Sequence, residues 1–474
     1  MMKKTIVLVA VLLYLGSLAF GAGRTQQSTV PTLVWYDLGA VPGPADQAEN
    51  VRIMSDYAEQ KIGVRFEIRN VWWDGWDTLI NSAEPFDIAW SESGMYARYV
   101  PVGVYADITD LLPSAAPALW NFIPQSLWDG MRMGGRIYAV PAYKDSSGTL
   151  FLFWDKKYVD KYNLNTGKRP YTLEDFDKDL RTVKAGEGPA FYPLMRARTS
   201  SYLWRDDEWT YDGLSAGVAW MAVRMNDPAR RVISTLEQPE TLAKYKILRA
   251  WYKDGIINPD APQLTEVPRG RTVADDWAWP SKAETLAVME GIEAYVPVEL
   301  GNSFLNTSSI RGSLIAVGAN SRYKNEALKF IELINTDHKF RDMLAYGIEG
   351  KHFRYVSPNV VERLTDTYMP YEWTQGTFFT LSTTVDQPPT TWDEVRAQNE
   401  RAVPSVVNGF SMDVSGVRNE IANIKTVSER YSSELVYGDV EPEVLIPRIM
   451  AELRAVGFDK VVAEAQRQID EYYK

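Results

Sequence analysis

The sequence predicts an α/β protein folded as two lobes. Three observations point there. The chain has 474 residues, more than a single core of ordinary size accommodates. Between Thr32 and Ser91, strand-like and helix-like stretches alternate, the pattern of a parallel sheet with helices on its faces. Hydrophobic residues make up 45% and charged residues 24%, the balance of a globular chain.

The elements can be read in order. The first 21 residues, with Lys3 and Lys4 before an apolar run from Thr5 to Leu18 and Ala19 and Gly21 ahead of Ala22, read as a secretory signal peptide. Its removal takes the net charge from −11 to −13. "TLVWY" (Thr32–Tyr36) reads as a strand that ends at Asp37 and Gly39. From about Asp46 a helix follows, with Val51, Met54, Ala58 and Ile62 on one face. "VRFEIR" is the next strand, "WDTLINS" a short helix and "FDIAWS" a buried strand. In such sheets ligands sit beyond the carboxyl ends of the strands. That rule singles out Asp37 and the Trp90–Ser93 stretch.

Further along, "GGRIYAVPAYKD" is a turn, a strand and a proline-containing exit, and "TLFLFWDKKYVDKYNL" a strand entering a helix. Thr172 with Asp175 three residues later is a capping-box variant that starts a helix. "LAKYKILRAWYK" is an amphipathic helix ended by Asp254-Gly255, "RGSLIAVGANS" a strand and "KNEALKFIELINTD" a helix. The last 35 residues read as two helices divided at Gly457.

Composition also excludes. An acidic chain without a basic stripe repels nucleic acid. There is no cysteine, hence no disulfide and no site for a lipid anchor, so an exported, soluble, periplasmic product is expected. With only His338 and His352 and no cysteine, zinc lacks its usual ligands. There is no phosphate-binding loop or dinucleotide fingerprint, and no cofactor is expected. "GLSAG" (Gly213–Gly217) matches a nucleophile elbow, but the polar "WRDDEWTYD" ahead of it is not the buried strand that motif needs.

The aromatics say more. The chain has 16 tryptophans and 26 tyrosines. Several stand beside polar residues near strand ends and loops: Trp72, Trp73 and Trp76 around Asp74, Trp90 before Glu92, and Tyr202 and Trp204 before Arg205. Such rings suit sugars, whose C–H faces stack on them while the hydroxyls bond to polar neighbours.

In order, "FDIAWSESG", "GVYADITDLLP", "GGRIYAVPAYKD", "KKYVDKYNL", "WYKDGIINPDAP" and "GANSRYKNEALKFIELINTD" cover nearly the whole chain beyond the signal peptide. This series resembles the periplasmic solute-binding proteins of ABC importers, of the carbohydrate-type, maltose-binding-like branch. "YGIEGKHF" and the closing "PEVLIPRIMAELRAVGFDKVVAEAQRQIDEYY" are similar to a subgroup of lipoproteins with a characteristic C-terminal domain. The resemblance implies a two-lobed periplasmic-binding-protein fold of type II, with hinge strands and a cleft between the lobes. Lobe one would take 32–142 plus 285–335. Lobe two would take 143–284 plus 336–474. It further implies a small carbohydrate ligand, permease subunits as partners, a monomer and no catalysis.

By position, the resemblance brings Asp37, Trp90, Glu92, Tyr143, Lys144 and Asp145 to the cleft from the first lobe, and Tyr202, Trp204 and Trp279 from further along. In "YGIEGKHF", Glu349 and Lys351 are candidate ligand contacts and His352 a donor that steadies the turn. The stretch is expected to begin the return into lobe two. Two other functions fit the sequence: a secreted carbohydrate-active enzyme using two acids, and a binding protein for peptides or another non-sugar solute on the same fold.

Overall fold

The computed structural model describes residues 30–82, 84–197, 200 and 210–474. The expected signal peptide and the candidates Tyr202 and Trp204 lie outside these residues.

The first strands are β1 (Thr32–Leu38), β2 (Arg65–Val71) and β3 (Ile88–Ser91), separated by helices α1 (Gln47–Ile62) and α2 (Trp76–Asn81) and followed by α3 (Ser93–Tyr99). Then come β4 (Ala139–Pro141) and β5 (Gly148–Asp155), and a small sheet of β6 (Tyr211–Asp212), β7 (Met221–Arg224) and β8 (Val232–Ser234). Beyond these lie β9 (Val273–Trp277), the long β10 (Tyr295–Leu305) and β11 (Leu314–Val317). Strands β12 (Phe353–Ser357), β13 (Val360–Arg363) and β14 (Thr383–Thr384) form another small sheet, and β15 (Val403–Pro404) ends the set.

The first sheet has the order β2-β1-β3-β11-β4. Its first three strands are parallel, as the alternating pattern requires. β11 runs antiparallel to both β3 and β4, so β4 points the same way as β3. The carboxyl ends at Leu38, Val71, Ser91 and Pro141 therefore share one edge. α1 buries Asn50, Met54 and Ala58 against this sheet, with Val51 and Ile62 flanking. The Thr172 capping box forms as read, at the start of the helix Leu173–Glu187. Gly457, at φ 100°, divides the last two helices.

Two large apolar cores organise the molecule. One gathers residues from 33–143 and 305–344, the other from 150–300 and 407–469. Alternation along β5 shows how one strand serves two layers: Leu150, Leu152 and Trp154 face the second core, and Phe151 and Phe153 a small cluster on the other side. β5, β10 and β15 pass between the two large cores within one sheet, ordered β15-β10-β5-β9. At their crossing Gly148 pairs with Phe304. A Cβ on Gly148 would lie 2.2 Å from the Phe304 ring, so only glycine fits. The neighbouring register shift between Leu300 and Phe304 gives β10 a bend at the same level.

The expected lobe boundaries and the course of the chain after β11 differ from this arrangement. Leu286 and Ala287 join the small cluster beside β5, and Val298 and Leu300 the second core. The helices Lys324–Thr336 and His338–Tyr346 both stay on the first core, because Phe330, Phe340 and Leu344 pack there and Phe340 stacks on Tyr57. "YGIEGKHF" thus does not lead into the second core. It joins a satellite cluster of Tyr346, Phe353, Val361, Phe378 and Leu381.

Candidate functional site

Four chain exits meet at the carboxyl edge of the first sheet. Asp37-Leu38-Gly39 leaves β1, Trp72-Trp73 leaves β2, Glu92 follows β3, and Tyr143-Lys144-Asp145 follows β4. Alongside them runs the segment Tyr371–Ser382, absent from the sequence reading. Thr374 faces Asp37, with Oγ1 3.1 Å from its carboxylate, and Thr377 Oγ1 donates to the carbonyl of Tyr143 at 2.6 Å. Ser382 is held from its other end by Asp342, through both N–H and hydroxyl. Gly376, at φ 127°, makes the turn in the middle, where a Cβ would press within 2.8 Å of Ile334.

Arg341 fastens this segment from below. It is fully buried, and its guanidinium donates to the carbonyls of Thr377 and Glu372 at 2.8 and 2.7 Å. Burial depresses its pKa, opposed by the charges of nearby groups that include Asp37.

Asp37 is only 3% exposed. Burial pushes its carboxyl from 3.8 up to about 7, against the hydrogen bonds from Thr374 and the Leu38 N–H. The geometry favours a proton there. The single hydroxyl proton of Thr374 faces two acceptors, Asp37 and the carbonyl of Tyr371 at 2.7 Å, and a protonated Asp37 supplies the missing donor. The folded state thus keeps a proton that the unfolded chain releases near pH 4. The stability this group contributes is fully present below that pH and is lost as pH rises through about 7. Asp37→Asn is expected to remove this loss. Urea unfolding of both proteins at about pH 4.5 and about pH 7.5 checks it. An equal pH dependence in the two would show that Asp37 ionises freely.

Beside Asp37 opens a cavity of about 280 Å³, between the 39–45 turn and the 366–371 loop. Gln47, Asn70, Tyr368, Tyr371 and Gln375 also line it. Gln47 and Asn70 hold each other by reciprocal amide hydrogen bonds of 3.2 and 3.0 Å.

From this cavity a strip of four aromatic rings leads away. Trp72 lies 6.2 Å from Tyr371, Tyr371 is stacked 6.1 Å from Trp373, and Trp373 is stacked 6.4 Å from Trp73. Trp72 and Trp73 are 42% and 51% exposed, unusual for the largest apolar side chains. Underneath, Trp90 meets Trp73 and Trp373 edge-on at 5.2 and 6.0 Å.

The candidates from the sequence divide accordingly. Asp37 lines the cavity. Trp90 offers no face for stacking: it is fully buried in a central strand, and its indole N–H donates to Ser313 Oγ at 3.0 Å. Glu92 caps α3, accepting from the Gly94 and Met95 N–H groups at 2.7 and 2.8 Å. Tyr143 is buried edge-on against Phe379. Lys144 pairs with Asp145 and lies over the Phe378 ring. Trp279 belongs to the same neighbourhood, packed against Phe378 and Trp392.

Glu349 and Lys351 lie elsewhere. Glu349 is exposed, and Lys351 pairs with Glu49 and Asp46 at the start of α1, at 2.6 and 3.1 Å. His352 steadies the turn, though as an acceptor and not as the donor read for it. Its Nδ1 accepts from the Ile348 N–H at 2.9 Å, which leaves the proton on Nε2, 3.0 Å from Asp46. Hydrogen bonds from Thr367, His352 and Lys351 depress the Asp46 carboxyl strongly. Lys351→Ala is therefore expected to leave ligand affinity unchanged in a titration. A large loss of affinity would return Lys351 to the binding site.

Sequence reasoning missed Gln47, Asn70, Tyr371, Trp373 and Gln375. For Tyr371, Trp373 and Gln375 the stretch "YEWTQGTFF" carried a signal, rings interleaved with polar residues and glycine, as around Trp72 and Trp73, and Gln47 and Asn70 had none.

Comparison with known proteins bears on the same arrangement. The model of a bacterial extracellular solute-binding protein family matches residues 52–349, and that of a domain of unknown function (DUF3502) matches 406–474. A carbohydrate ABC transporter substrate-binding protein of Streptococcus pneumoniae is 23% identical over 480 residues, 94% of this chain and 91% of that protein. The crystal structure of an N-glycan transport solute-binding protein of the same species superposes with a TM-score of 0.82 at 21% identity, over 93% of this chain and 99% of that one. An HMO-binding, ABC-transporter-associated solute-binding protein of Bifidobacterium longum infantis gives 0.63 at 17% identity, over 94% and 99%. With the family model covering more than half of its length, the chain belongs to the bacterial extracellular solute-binding proteins.

Proposed function

We propose that the protein captures a sugar or oligosaccharide at the carboxyl edge of the first sheet and delivers it to the permease of an ABC importer. The observation that carries this is the aromatic strip Trp72–Tyr371–Trp373–Trp73 running into a polar cavity. Large exposed rings beside amide groups match the two faces of a pyranose, apolar C–H and polar hydroxyl. The relatives named above for carbohydrate and N-glycan transport support the same ligand class. The three strands between the cores serve as the hinge, and closure of the second core over the strip buries the ligand. The protein acts as an exported, periplasmic monomer and performs no catalysis.

A thermal-shift screen of mono- and oligosaccharides, with peptides alongside, tests this. Ligand at a hundredfold excess over Kd stabilises by about 2.7 kcal/mol. Shifts with peptides and with no sugar overturn the proposal. Release of smaller sugars from an oligosaccharide replaces capture by hydrolysis.

A further inference from the structure

Electrostatics at the cavity narrow the class of sugar. Among the described residues that line it there is no lysine, arginine or histidine. The acidic side chains there are Asp37, which holds a proton, and the exposed Asp366, and the remaining polar side chains include the neutral amides of Gln47, Asn70 and Gln375. Along the aromatic strip, among the described residues, Asp74 is exposed next to Trp73 and Glu372 lies between Tyr371 and Trp373.

Among the described residues, the cations nearest this edge are engaged with other groups, and Lys144, which follows β4, pairs with Asp145. Arg341 is buried, with its N–H groups directed at the carbonyls of Thr377 and Glu372 and toward the Gln375 side-chain oxygen. Lys351 is held by Asp46 and Glu49.

A carboxylate or sulfate entering this cavity would shed its water and meet no positive partner among the lining residues. Sites that recognise such groups present arginine forks or lysines. The N–H groups of Gln47 and Asn70 are held by each other and by the Ile68 and Ala40 carbonyls, and their amide oxygens, each with a second lone pair, can still accept from the hydroxyl and N-acetyl N–H groups of a neutral sugar. We infer that the cavity takes a neutral hexose or N-acetylhexosamine unit and excludes uronic, sialic and sulfated sugars, an inference that rests on the sugar capture proposed for this site.

Calorimetric titration of the full chain separates the outcomes. The neutral probes are trisaccharides of mannose, glucose, galactose, fructose and N-acetylglucosamine. The anionic probes are trigalacturonate, trimannuronate and sialyllactose. Binding of at least one neutral trisaccharide is expected, with every anionic probe at least about tenfold weaker. An anionic probe that binds as tightly as the best neutral one overturns the inference and leaves sugar capture standing. No binding by either class overturns sugar capture itself, and this inference with it. As a second measurement, Gln47→Lys places a cation at the cavity wall and is expected to narrow the gap between anionic and neutral probes. An unchanged gap in a variant that still binds the neutral probe removes the cavity from the ligand site.

Discussion

Replacing Trp90 with alanine is expected to cost about 3–5 kcal/mol of stability, the range for truncating a large aromatic side chain in a packed core. Its ring has no exposed surface, touches Trp73, Trp76 and Trp373, and places its N–H on Ser313. The contrast is with Trp73. That ring is half exposed, so Trp73→Ala should cost little stability and should weaken sugar binding by about tenfold or more, the effect of removing an aromatic anchor. Urea unfolding and sugar titration of both variants check this together. Were Trp90→Ala to unfold like the parent and lose only affinity, Trp90 would be a contact and not a support.

Arg341 carries the second large effect. Arg341→Met should cost about 1–3 kcal/mol, because it takes the Arg341 donor from the buried Thr377 carbonyl and leaves the half-buried Glu372 carbonyl with only the Gln375 N–H. Arg341→Lys should recover only part of this, since one ammonium does not span a planar fork. The loss is expected to show locally as well. Amides of 371–382 should exchange faster in the lysine variant, and sugar affinity should fall as Tyr371 and Trp373 lose their fixed position. Exchange at the parent rate throughout 371–382 would show that the segment is fastened by Thr374, Thr377 and Ser382 without Arg341.

Much of the first sheet was legible in the sequence for a local reason. β1, α1, β2, α2 and β3 each announce themselves within a few residues, through period-two or helical spacing of apolar groups. The Thr172 box and the break at Gly457 are local in the same way. The site was harder, because residue type beside a strand end does not say which way a ring points. Trp72, Trp73 and Trp90 all follow or end strands and all have polar neighbours in sequence. Trp72 and Trp73 face outward, while Trp90 ends a strand flanked on both sides by others.

"YGIEGKHF" shows the same limit. Its acid, lysine and histidine suggested contact with a ligand. Lys351 and His352 instead close on Asp46, 305 and 306 positions earlier in the chain, and no local pattern encodes that pairing.

The sequence by itself therefore determined the α/β class, the order of the early elements, the breaks between helices, and an aromatic-rich, cysteine-free chain built to bind without metal–thiolate or disulfide chemistry. These depend on spacing, propensity and composition, which act within a few residues. Only the tertiary structure decided which rings face solvent, that Tyr371–Ser382 lies along the sheet edge, and that burial pushes the Asp37 carboxyl well above its usual range. Burial and hydrogen-bond pairing are properties of what the fold brings alongside a residue. Thr374, which faces Asp37, lies 337 positions away in the chain.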